Sequence, residues 1–215
     1  MLGNIKAAIF DLDGTLVDSM WVWEKIDIEF LKARGFESPK SLMGDICHLT
    51  FEQTADYFKS TFNLKESVQE IMDEWNNMAY THYKNDVKLK PGAKEFLLTL
   101  KKLNIKIALA TSNCTQLLEI TLKSNGIFEL FDIISTTDEV SHGKDFPDIY
   151  LLSAKKLNVN PNECIVFEDI LKAVNGAKLA DMHVVGVKDN FSENQSKEIK
   201  KCSDRYIDDF VGFAI

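Results

Sequence analysis

Four cysteines in 215 residues, at positions 47, 114, 164 and 202, are too few and too scattered for a disulfide framework. No CxxC pair occurs, so the usual zinc spacing is missing as well. No apolar run approaches the ~20 residues needed to cross a bilayer, and no signal-peptide core precedes the first apolar stretch, which predicts a cytoplasmic chain that does not engage a membrane. Basic residues are the minority: 25 Lys and Arg against 33 Asp and Glu give a net charge of −8, which argues against nucleic acid as a partner. It leaves a small anionic ligand open, because a local field can oppose the net charge. The chain also lacks a Walker-type glycine loop, GxGxxG, GxSxG and HExxH. Internal repeats, low-complexity tracts and long flexible linkers are absent too.

What is present is organised around Ala7–Ser19, AAIFDLDGTLVDS. The apolar run 7–10 reads as a strand buried on both faces of a parallel sheet. It gives way to Asp11 and Asp13, which at i and i+2 point the same way at a strand end. Two such anions are tolerable together only with a cation or a proton between them. Gly14 permits a sharp turn, and Thr15 sets a hydroxyl beside the acids.

From Met20 to Lys88 no strand-like alternation occurs. Apolar positions at helical spacing predict helices from Trp21 to a stop at Gly35, over Phe51–Phe62 and from Val68 to about Tyr83, with a connection at 38–45. From Pro91 onward strand and helix alternate: helix 93–103, strand 105–110, helix 115–124, strand 131–135, helix 148–157, strand 164–167, a helix to Ala180, strand 183–187 and a charged helix 192–201. This pattern predicts an α/β fold with a parallel sheet covered by helices. The expected division is a core of residues 1–17 and 89–215 interrupted by an all-helical insertion, 18–88.

Ligands of open α/β sheets bind beyond the carboxyl ends of the strands. The polar clusters fall there: Asp11 and Asp13, then Thr111, Ser112 and Asn113, then Glu168 and Asp169, with Lys144 in a loop at the same edge. Taken singly each has an ordinary reading, as helix caps or solvated charges. Together they supply hard oxygen ligands suited to Mg2+, donors for phosphate oxygens and one ammonium. With no nucleotide cradle, a carboxylate is the natural nucleophile, forming an aspartyl-phosphate. The second acid then serves the leaving group and activates water.

The stretch DLDGTLVDS, the TSN ending IKIALATSN, HGKDFPDIY around Lys144 and the VFED ending in Asp169 resemble, in order, the four motifs of the haloacid dehalogenase-like superfamily. The helical insertion resembles the C1-type cap of its phosphatase and β-phosphoglucomutase-like branch, and the likeness spans essentially the whole chain. It implies a Rossmann-like core with a helical cap and magnesium-dependent phosphoryl transfer from a small phosphorylated metabolite. By position it implies Asp11 as nucleophile and Asp13 as general acid/base that also lends a backbone carbonyl to the metal. Thr111 and Lys144, with Ser112 and Asn113, would hold phosphate, and Asp169 would bind Mg2+ with Glu168 beside it or as an alternative ligand.

Three features depart from the pattern. Lys144 is followed by Asp145-Phe146-Pro147 where Lys-Pro-x-Pro-Asp is common. Ile170 and Ala173 stand where serine and glycine usually do, which concerns the helix's approach to the site rather than the catalytic groups. Trp23 stands where the mutases carry a histidine, and the loop 41–53 offers Asp45 and His48 but no arginine or lysine after Lys40. A sugar bisphosphate needs cationic grip at its far end. Hydrolysis is therefore expected, with a phosphohexomutase, or a binding protein that kept the fold, as the alternatives; separately, a monomer is expected. The tryptophans 21, 23 and 75, at helical spacing, are expected to pack.

Overall fold

The computed structural model describes residues 5–46, 49 and 51–214. His48, singled out above, lies outside them. The chain divides into two compact units: residues up to Met20 together with those from Val87 onward, and Trp21–Asp86. Among the described residues no helix is long and apolar enough to cross a membrane.

The first unit opens with β1 (Ala7–Phe10) and a short β2 (Val17–Asp18). The second holds α1 (Trp21–Ala33), α2 (Leu42–Ile46), α3 (Phe51–Thr61) and α4 (Val68–Asn85). The first then resumes with β3 (Lys88–Leu89), α5 (Ala93–Lys102), β4 (Lys106–Thr111), α6 (Thr115–Ser124) and β5 (Ile133–Thr136). It ends with α7 (Asp148–Leu157), β6 (Cys164–Glu168), α8 (Leu171–Leu179), β7 (His183–Val187), α9 (Ser196–Cys202) and β8 (Arg205–Ile207).

Six strands form one parallel sheet in the order β5-β4-β1-β6-β7-β8, the α/β architecture expected. β1 lies near its middle and is buried on both faces. Alternation along β1 sends Ala7 and Ile9 into a core with Ile149, Tyr150 and Ala154 of α7 and Val174 and Ala177 of α8. Phe10 goes to the opposite face, stacked on Phe167 with ring centroids 4.6 Å apart and edge-on to Phe96 of α5.

Three local features differ from expectation. The connection at 38–45 contains α2, a single short helix. And β2 and β3 pair antiparallel, Val17 opposite Leu89 and Asp18 opposite Lys88, tying the chain's exit from the first unit to its return. Two-residue strands carry no periodicity to read. The final helix also starts four residues late, at Ser196, behind a 3-10 turn at Glu193–Gln195.

The helical unit has its own core. Phe30, Phe58 and Trp75 meet edge to face, with Phe30 5.5 Å and Phe58 4.9 Å from Trp75, which is 2 % exposed. Trp23 packs on Phe51 and Trp21 on His82. A Ser67–Glu70 capping box starts α4, and the Arg34 guanidinium ties Glu66 to Glu74.

Candidate active site

Sheet register places the acids. Phe10 pairs with Phe167, so the next residues, Asp11 and Glu168, stand side by side on neighbouring strands spaced about 4.8 Å apart. Both follow the parity of the face covered by α7. Glu168 is the last residue of β6 and wholly buried, and the Asp11 N–H donates to Phe167 O. Two buried carboxylates this close would repel strongly. Lys144, brought in by the loop before α7, answers both: its Nζ donates to Asp11 Oδ1 at 2.5 Å and to Glu168 Oε1 at 2.6 Å.

Asp169 completes the cluster. Its Oδ1 accepts from Thr15 Oγ1 at 2.9 Å. Gly14 turns the chain directly against it with φ +80, and a Cβ there would lie 2.4 Å from Asp169 Oδ2. The turn therefore needs glycine for its conformation and for its closeness. Asp13 stands at the same turn, its carboxylate held by Ser19 Oγ at 2.6 Å and Asn113 Nδ2 at 2.8 Å.

Thr111 ends β4, buried, and its Oγ1 accepts the Asn113 N–H at 3.0 Å. Ser112 is exposed beside it. None of the three caps the following helix; that place falls to Cys114, without a side-chain bond. The structure thus brings Asp11, Glu168, Asp169 and Lys144 into one buried cluster, and Asp13 is joined through Asn113 to the Thr111 loop. Asp145 is exposed while Lys144 is buried, and the ammonium's two carboxylate partners are Asp11 and Glu168.

The electrostatics follow from three buried acids facing one ammonium. Burial raises Asp11 above the ordinary carboxylate range, with Lys144 opposing and Asp13 adding to the rise. Burial also raises Glu168, opposed by Lys144 and reinforced by Asp11. Asp169 is raised well above the ordinary carboxylate range, by burial and then by the charges of Asp11 and Glu168. Burial by itself would lower Lys144, but the two carboxylates outweigh it and its proton is held more tightly than usual.

One oxygen of Glu168, Oε2, and one of Asp169, Oδ2, are buried with no hydrogen-bond partner among the described residues. Ligand oxygens of Asp11, Glu168 and Asp169 lie within 4.8 Å of one another. Unpaired hard oxygens with surplus negative charge are the donor set that a divalent cation fits.

One participant is not among the residues expected from the sequence. Tyr150, on the buried face of α7, donates its hydroxyl to Glu168 Oε1 at 2.9 Å. A tyrosine on the apolar face of a helix six residues after Lys144 was the available signal, since a buried phenol needs a partner.

Residues 8–187 match the haloacid dehalogenase-like hydrolase family. The chain is 32% identical over 186 residues to YhcW of Bacillus subtilis, described provisionally as a phosphatase, covering 84% of this chain and 82% of that one. It is 27% identical over 187 residues to hexitol phosphatase B of Escherichia coli K12, covering 86% and 84%. A solved Thermotoga maritima structure, described provisionally as a β-phosphoglucomutase, superposes with a TM-score of 0.85 at 25% identity over 94% of each chain.

Proposed function

The chain belongs to the haloacid dehalogenase-like hydrolase family, and we propose that it is a magnesium-dependent phosphatase of a small phosphorylated metabolite, acting through an aspartyl-phosphate on Asp11. The observation that carries this reading is the packing of Asp11, Glu168 and Asp169 around the single ammonium of Lys144, beside unpaired buried carboxylate oxygens.

In this reading Asp11 attacks phosphorus, and the P–O bond to the metabolite breaks as the new one forms. Asp13, held between Ser19 and Asn113, gives its proton to the departing alkoxide and then takes one from the water that hydrolyses the acyl phosphate. Thr111, Ser112 and Asn113 offer hydroxyl and N–H donors to the non-bridging oxygens, and Lys144 keeps positive charge next to the nucleophile. Asp11, Asp169 and Glu168 would hold Mg2+ together with the main-chain carbonyl of Asp13. Bound there, the ion supplies Lewis-acid neutralisation of the phosphoryl oxygens. The relatives named as phosphatases favour hydrolysis. Residues 18–88 serve as a helical cap, and the protein acts as a monomer in the cytoplasm.

A panel of phosphorylated sugars and polyols, assayed for inorganic phosphate with Mg2+ and with chelator, tests this. Magnesium-dependent release supports it. Interconversion of hexose 1- and 6-phosphates without release would make the protein a mutase, and silence on both would leave a binding protein.

A further inference from the structure

Glu168 is gripped unevenly. Its Oε1 accepts two donors, Lys144 Nζ at 2.6 Å and Tyr150 Oη at 2.9 Å, while Oε2 accepts none among the described residues although it is buried. Asp169 repeats the pattern, with Thr15 on Oδ1 and no donor to Oδ2 among the described residues. A carboxylate fixed through one oxygen has its rotation set, and its other oxygen is aimed without further cost in order. Lys144 does not serve Glu168 alone, because its ammonium is shared with Asp11. Tyr150 has no such second duty. Its ring is wholly buried in the core with Ala7, Ile9 and Val166, on a helix that sets its hydroxyl against Glu168 Oε1. It is a fixed donor.

We propose that Tyr150 is a positioning residue for the acidic cluster: by holding Glu168 Oε1 it presents Oε2 to a divalent cation. This rests on the metal-dependent reading above and extends it to a side chain outside the four motif clusters' charged and phosphate-holding groups. The competing role is structural, a buried phenol that satisfies itself on the nearest acceptor.

Tyr150→Phe separates the two, since it keeps the ring and its packing and deletes only the donor. Calorimetric titration of the whole protein with Mn2+, without substrate, is expected to show affinity weaker by about 10-fold, the lower end of what lost orienting bonds cost a metal site. The Mg2+ concentration for half-maximal phosphate release should rise in step, with kcat at saturating Mg2+ within about twofold of the parent. In a Glu168→Gln background Tyr150→Phe should change Mn2+ affinity no further, because the two act as one unit. Unchanged Mn2+ affinity with a lowered melting temperature overturns the proposal and leaves the tyrosine structural. A parent protein that takes up no Mn2+ overturns the metal-dependent reading itself, and the two failures are told apart by the parent titration.

Discussion

Gly176 of α8 lies against the backbone of Lys144, so closely that a Cβ at Gly176 would stand 2.0 Å from the Lys144 carbonyl oxygen and 2.9 Å from that of Phe146. The first glycine after Asp169 is thus spent on the loop that delivers the ammonium. Gly176→Ala is expected to push that loop away. A misplacement near 1 Å at a reacting centre costs on the order of 100-fold in rate, and the forced backbone shift about 1–3 kcal/mol in stability. Steady-state kinetics alongside chemical denaturation would show both; full activity would mean the loop yields without moving Lys144.

Asp11→Asn should remove turnover, since an amide does not attack phosphorus; the expected fall is on the order of 10⁴-fold or more, as when a nucleophile is deleted. The same change relieves repulsion among three buried acids. In chelator the variant should therefore melt no lower than the parent, a site that trades stability for function. Asp13→Asn should lower turnover by about 10²–10⁴-fold while Mn2+ still binds. Phosphate release and thermal melts measure these, and substantial magnesium-dependent activity in Asp11→Asn would end the covalent mechanism.

Lys90, between β3 and α5, donates to Asp189 Oδ2 at 3.0 Å and to the Lys188 carbonyl, both side chains being under a tenth exposed. Its N–H also donates to Leu16 O, behind the Asp11–Thr15 turn. Lys90→Met leaves a buried carboxylate without its cation and should cost about 3–5 kcal/mol. Adding Asp189→Leu should recover part of the loss. Urea unfolding of the two variants gives the values, and equal stabilities for the single variant and the parent would refute it.

Asp27, buried on α1, is pushed up to about 7 by burial and then by the charge of Glu24. Between about pH 4 and 7 the folded chain therefore keeps a proton that the unfolded chain has lost. Stability from this group falls as pH rises through that window and is flat on either side. At ~1.4 kcal/mol per pH unit the loss is on the order of a few kcal/mol. Asp27→Asn, which cannot ionise, should melt higher than the parent above pH 7 and draw level near pH 4. Parallel melting curves at every pH would show that Asp27 is not held neutral.

The helices 115–124 and 148–157 and the strand 183–187 stand in the structure where periodicity and end signals put them, because each rests on contacts within a few residues. The parallel sheet was legible for a similar reason: apolar strands alternating with amphipathic helices have few other ways to bury their faces. Even the order of polar clusters at the strand ends could be read, since each marks where an apolar run stops. The pair β2–β3 and the helix 42–46 were not legible, being too short to carry a period.

What no local pattern holds is distance across the chain. That Asp11 stands beside Glu168 follows from β1 pairing with β6 in one register, and a shift of one residue would have turned the glutamate to the other face. That Lys144 bridges them, that Tyr150 donates to the same Glu168 oxygen as Lys144, and that Gly176 must be bare all follow from helices laid on that sheet. By itself the sequence determined which residue types gather at the carboxyl edge. Tertiary structure alone decided which oxygen of each acid is tied and which is left unpaired, because that depends on side chains 18 to 154 positions apart meeting in a buried, weakly screened place.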